Sequence, residues 1–136
     1  DAEYVEVWVV SRSEAADYWD GNWLACNVRL SAGGFRGRFS ADFRTDEIRD
    51  FADEVRILHE SLKGTAQFET MEEQLRLVLE GDGRGHIECE GHAQDIAGTG
   101  NVFKFALSMD QTDLSGTMVQ LEELVSRFPV RGSPAT

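Results

Sequence analysis

The sequence lacks most of the features that would assign it quickly. It has two cysteines in 136 residues. Cys26 and Cys89 are too few and too far apart for a disulfide scaffold or a zinc ribbon. Each lies among apolar residues in a strand pattern, which fits buried thiols in a reducing cytoplasm. No apolar run approaches the roughly 18 residues of a membrane span, and no signal-peptide pattern is visible. Basic residues are scarce, 13 against 25 acidic ones, for a formal net charge of −12. A field of that sign repels phosphate backbones and argues against nucleic acid as a ligand. Catalytic signatures are missing as well. There is no G-x-S-x-G elbow, and the serines and cysteines have no local base pattern beside them. The glycines of "GDGRGH" (81–86) lead into no helix, so the stretch reads as a hairpin turn and not as a phosphate-binding loop.

What remains is the pattern of a packed globular protein. A hydrophobic fraction of 41% is ordinary, so the acidity is no sign of disorder. The length suits a single domain, expected over residues 1–130, with "RGSPAT" (131–136) as a flexible tail. "YVEVWVV" (4–10) is rich in β-branched and aromatic residues and reads as a strand. In the next strand Leu24, Cys26, Val28 and Leu30 face one way, and Trp23, Ala25 and Asn27 the other. After the glycine turn of "SAGGF", Phe35, Gly37, Phe39, Ala41 and Phe43 alternate with Arg36, Arg38, Ser40, Asp42 and Arg44, a half-buried strand with a charged outer face. A helix is predicted from Thr45, as N-cap, to about Lys63. Its stripe is Ile48, Phe51, Ala52, Val55, Leu58 and Leu62, and Gly64 is the expected stop. His59 lies at the border of that stripe and reads as a hydrogen-bonded structural histidine.

Strands are predicted at 65–69, 74–81, 85–95 and 102–109. "DQTDL" then opens a second helix, with Asp110 as N-cap and Asp113 completing a capping box. Leu114, Met118, Leu121, Val125 and Phe128 form its stripe, and Pro129 ends it. A shift of 66 residues lays the second strand-to-helix unit on the first, Phe39 on Phe105 and Val55 on Leu121. The expected architecture is therefore βββα followed by ββββα. This is an α+β fold with an antiparallel sheet of about six to seven strands, packed by two helices.

Three clusters carry potential chemistry. His86, Glu88, Glu90 and His92 share one strand face and suit a divalent metal. Neighbours two apart along a strand lie about 6.6 Å from each other, however, so two of the four can clamp an ion more readily than all four. Asp17, Asp20 and Asn22 offer oxygen ligands, but their spacing is wrong for an EF-hand and Val28 stands where its glutamate belongs. "DYWDGNWL" (17–24) crowds Tyr18, Trp19 and Trp23 around Asp17 and Asp20. Structurally it reads as a turn nailed to a core by Trp23, whose truncation would cost about 3 kcal/mol if the indole is fully buried. Functionally, Asp17, Tyr18, Trp19, Asp20 and Trp23 are candidate partner-binding residues, because tryptophan and tyrosine dominate binding hot spots and flanking acids suit a basic partner.

Together with a Gly-Phe strand before the first helix, "GRGHIECEG", and "DQTDL" opening a last helix that closes on "FP", this octapeptide resembles small bacterial proteins of the WapI-type immunity family of contact-dependent toxin systems. The resemblance spans nearly the whole chain. It implies a cytoplasmic, non-enzymatic protein without cofactor that neutralises a toxin by binding it. The leading expectation is accordingly an acidic protein-binding module that occludes a basic toxin domain. The rivals are a metal-dependent or small-molecule-binding enzyme using the His86/Glu88/Glu90/His92 face, and a homodimer formed by sheet edges or aromatic loops.

Overall fold

The computed structural model describes residues 2–134. These residues form seven antiparallel strands: β1 (Tyr4–Arg12), β2 (Trp23–Ala32), β3 (Phe35–Arg44), β4 (Lys63–Phe68), β5 (Leu75–Asp82), β6 (His86–Gln94) and β7 (Val102–Asp110). The α+β class and the βββα/ββββα order are as expected. The strands, however, divide between two sheets, β1-β2-β3 and β4-β5-β6-β7. The helix between β3 and β4 separates them. The edge of β3 is met instead by a side chain, Gln74, whose amide donates to the Ser40 carbonyl at 3.0 Å.

Among the described residues there are three helices, not two: α1 (Tyr18–Gly21), a single turn, and the two long ones, α2 (Thr45–Ser61) and α3 (Gln111–Arg127). The repeat is visible in the elements themselves. Both long helices have 17 residues and begin at 45 and 111, the predicted 66-residue shift. In α3, Asp110 and Asp113 form the expected capping box. In α2 the N-cap is Arg44, and Thr45 is already helical. Its hydroxyl donates to the Phe128 carbonyl, tying the start of one long helix to the end of the other. Glu47 supplies the cap by accepting from the Arg44 amide at 2.7 Å. At the other end Leu62 takes the left-handed conformation (φ 59°) and terminates the helix, while Gly64 lies within β4.

One apolar core joins both sheets and both long helices. The Phe68 ring of β4 lies 5.3 Å from Phe43 of β3 and 5.3 Å from Phe51 of α2, centroid to centroid. Gly91 is needed for packing: a Cβ there would stand 2.1 Å from the ring of Phe105, its cross-strand partner. The two helices are covered unequally. Ile48, Phe51, Ala52, Val55 and Leu58 of α2 are buried, whereas in α3 only Leu114 is, and Met118, Leu121, Leu124 and Val125 are half-covered. The inward residues of β1, Val5, Val7 and Val9, are likewise only half-buried.

Candidate functional site

"DYWDGNWL" folds into α1 and the start of β2. Asp17 is the N-cap of α1, its carboxylate accepting from the Asp20 amide at 3.2 Å. Gly21 closes the turn where the chain passes so near Ala15 that a Cβ would lie 2.4 Å from the Ala15 carbonyl oxygen. The three aromatics surround a residue that the sequence pattern assigns to solvent. Arg44 pairs with Trp23 across β2 and β3 and so points to the outer face, yet it is 2% exposed because α1 folds over it. Its guanidinium lies 5.0, 5.4 and 5.3 Å from the ring centroids of Tyr18, Trp19 and Trp23. Its Nη1 donates to the Trp19 carbonyl at 2.7 Å and its Nη2 to the Tyr18 carbonyl at 2.9 Å. Nε donates to Asp46 Oδ1 at 2.9 Å, and the other oxygen of Asp46 accepts from the Tyr18 hydroxyl at 3.2 Å. The aromatic cluster is thus a cage filled by the protein's own arginine.

Asn22 is the second anchor. It is fully buried, and both halves of its amide are engaged. Oδ1 accepts from Arg12 Nη2 at 2.9 Å and from the Arg131 amide at 2.8 Å. Nδ2 donates to the Tyr18 carbonyl at 2.8 Å and to the Arg131 carbonyl at 2.9 Å. Burial, then the nearby Arg131 charge, lowers the pKa of Arg12. Arg131, expected to open a loose tail, also donates to the Ser13 and Ala15 carbonyls at 2.9 Å each. Ala135 and Thr136 of that tail lie outside the described residues.

With its backbone bolted down, α1 still presents side chains outward. Trp19 is 54% exposed, Asp17 and Asp20 are exposed, and Tyr18 and Trp23 are half-buried. The half-burial of Trp23 lowers the cost expected of its truncation to roughly 1–2 kcal/mol. Acidic neighbours gather at the start of α2. While Asp46 binds the α1 cage, Glu47 Oε2 accepts from the Met71 amide at 2.5 Å. That bond ties down the exposed acidic turn of Glu69, Glu72 and Glu73. Burial pushes the pKa of Glu47 up, and its bonds to the Arg44 and Met71 amides pull against this.

The metal readings find no geometry. Asn22 spends its oxygen inward, so it does not join Asp17 and Asp20 around an ion. His86 Nε2 lies 2.6 Å from Glu88 Oε1, which also accepts from Ser108 at 3.0 Å. The His86 and Ser108 bonds hold the Glu88 carboxyl below its ordinary pKa. His92 stands between Arg76 and Lys104 on the neighbouring strands, a setting hostile to a cation. Among the described residues no three His, Cys, Asp or Glu side chains gather as a metal ion requires. Burial raises the thiol pKa of Cys26 to about 12 and of Cys89 to about 11, which keeps both protonated and poorly nucleophilic. No helix among the described residues is long and apolar enough to cross a membrane.

The geometry therefore describes a rigid scaffold with a pinned, partly exposed aromatic corner. Comparison with family models matches the immunity protein WapI-like family over residues 1–129, and the chain belongs to that family. Comparison with curated proteins finds no match.

Proposed function

We propose that this protein neutralises a basic toxin domain in the cytoplasm by binding and occluding it, without catalysis. The observation that carries the reading is the corner at the start of α2. There Arg44 holds Trp19 half-exposed between Asp17 and Asp20, and Glu47 holds the acidic turn 69–73 alongside. Membership of an immunity family supports the reading, as does the surplus of negative charge. Trp19 supplies the apolar anchor and the surrounding carboxylates steer a basic surface toward it. Because the corner is already ordered, binding loses little conformational entropy.

Co-expression with the toxin-like product encoded beside this gene tests the proposal. Rescue of growth and a complex that weakens with salt are the expected results. Trp19→Ala should weaken the complex about 30-fold, a hot-spot loss of ~2 kcal/mol. The pair Asp17→Asn/Asp20→Asn, which keeps the helix cap but removes two charges, should slow association chiefly at low salt. A complex indifferent to all three changes would exclude this corner. Absence of any rescue would end the immunity reading.

A further inference from the structure

The internal repeat points to a strand-binding groove. The shift that carries α2 onto α3 also carries β3 onto β7, so counting back along each sheet sets β2 against β6 and β1 against β5. Beyond β5 lies β4, covered by α2. The corresponding position beyond β1 is a groove of about 440 Å3, walled by β1 on one side and by Leu124 and Phe128 of the α3 end on the other. The covering differs accordingly. Leu75 and Leu79 of β5 are buried and Leu77, opposite Phe68 of β4, is half-buried, whereas Val5, Val7 and Val9 of β1 are all half-exposed, and α3 stays half-covered where α2 is buried. β1 is also a nine-residue edge strand, which among the described residues pairs as a strand with β2 alone. Such an edge presents a row of amides and carbonyls ready to pair with another chain.

We infer that this groove receives an extended segment of the partner protein, which pairs antiparallel to β1 and completes sheet β1-β2-β3 as β4 completes the other. The inference rests on the toxin-binding reading and gives it a second contact. On the rim Glu123 and Glu6, the latter paired with Arg29 at 2.9 Å, stand against Arg127, and it is the surrounding net charge of −12 that favours a basic segment. Alternate apolar side chains of the incoming strand face Val5, Val7, Val9 and Leu124. The groove also ends at the proposed corner, since Phe128 lines it and accepts from Thr45 at the start of α2.

A tethered strand tests this. A second copy of residues 63–71 is joined ahead of the chain, so that the link to β1 matches residues 69–74 between β4 and β5. A control carries the same extension with proline at the copied Thr65 and Gln67 positions. In the extended protein the β1 amides that point away from β2 should exchange roughly 100-fold more slowly than in the parent. Growth rescue and binding of the neighbouring toxin-like product should fall at least 100-fold, and the proline control should behave as the parent. Unchanged β1 amides overturn the inference, because the groove then takes no strand. Slowed amides with undiminished toxin binding overturn it too, because the partner then binds elsewhere while the immunity reading stands. Concentration-dependent protection of β1 in the parent assigns the groove to a second copy and likewise refutes it. If the parent itself neither rescues nor binds, the function reading has failed, and the partner segment with it.

Discussion

Replacing Arg44 is the sharpest test of how the aromatic corner is built. Arg44→Ala removes an ion pair to Asp46 and two hydrogen bonds to the Trp19 and Tyr18 carbonyls from a site only 2% exposed. Asp46 loses its cation at 16% side-chain exposure, and the Trp19 carbonyl loses the guanidinium. Breaking a buried pair by deleting one partner costs about 3–5 kcal/mol. Here some of that is recovered, because Tyr18 still donates to Asp46 and Asn22 still donates to the Tyr18 carbonyl. The expected loss is therefore ~3–4 kcal/mol, a Tm fall of roughly 10–15 °C for a domain of this size. Arg44→Lys should lose ~2 kcal/mol, since a single ammonium cannot span the three acceptors or lie flat among the rings. Urea denaturation followed by near-ultraviolet circular dichroism measures all of this, the indoles beside Arg44 reporting directly. An Arg44→Ala protein within 1 kcal/mol of the parent, or one with an unchanged aromatic spectrum, would refute the cage.

Other expectations follow from the same contacts. Asn22→Ala should destabilise by about 2–3 kcal/mol, because it strips the Arg131 amide and carbonyl of their bonds to Asn22 and takes one of two partners from Arg12 Nη2 and from the Tyr18 carbonyl. Deleting residues 131–136 should cost a measurable part of that, seen as a lower urea midpoint. Gly91→Ala should lose ~2–4 kcal/mol, since its Cβ meets the Phe105 ring at 2.1 Å; a Gly91→Ala/Phe105→Leu double variant should recover part of it. Trp23→Ala should lose more stability and less binding than Trp19→Ala, and the two melting or binding alike would show that the corner has no such division. The Glu88 carboxyl should titrate below the ordinary glutamate value by carbon-13 NMR, and Ser108→Ala should move it up. Its folded pKa is depressed, so its contribution to stability is present above the unfolded pKa and fades as pH falls through the folded one.

Much of the fold was readable because it depends on periodicity. The alternation from Leu24 to Leu30 and the stripe from Ile48 to Leu58 are local patterns that burial preserves. The capping box at Asp110 and Asp113 is read from two residues. Partition into two sheets was not readable, because strand pairing depends on long-range register, which short amphipathic strands specify weakly. Arg44 was misplaced for a related reason. Alternation assigns a face of the strand, and it is silent on whether another segment covers that face. The sequence signal was present: three aromatics crowded into six residues, with cations elsewhere to fill their midst. The docking of Arg131 on Asn22 joins residues 109 apart and has no local signature at all.

The two buried polar anchors also change what acidity can mean here. Net charge of −12 by itself gives steering, solubility and repulsion of phosphate, but it selects no partner. Selection needs carboxylates held at fixed distances from an apolar anchor, and surface side chains on a mobile loop do not supply that. Arg44 and Asn22 convert the loop after β1 into a rigid one-turn helix by satisfying its carbonyls from below, so Trp19 and its acidic neighbours keep one arrangement before any encounter. In the proposed binding role, a cation caged within an acidic surface would thus serve recognition from beneath. It neutralises little of the outward field, yet it decides where that field and the exposed indole stand relative to each other.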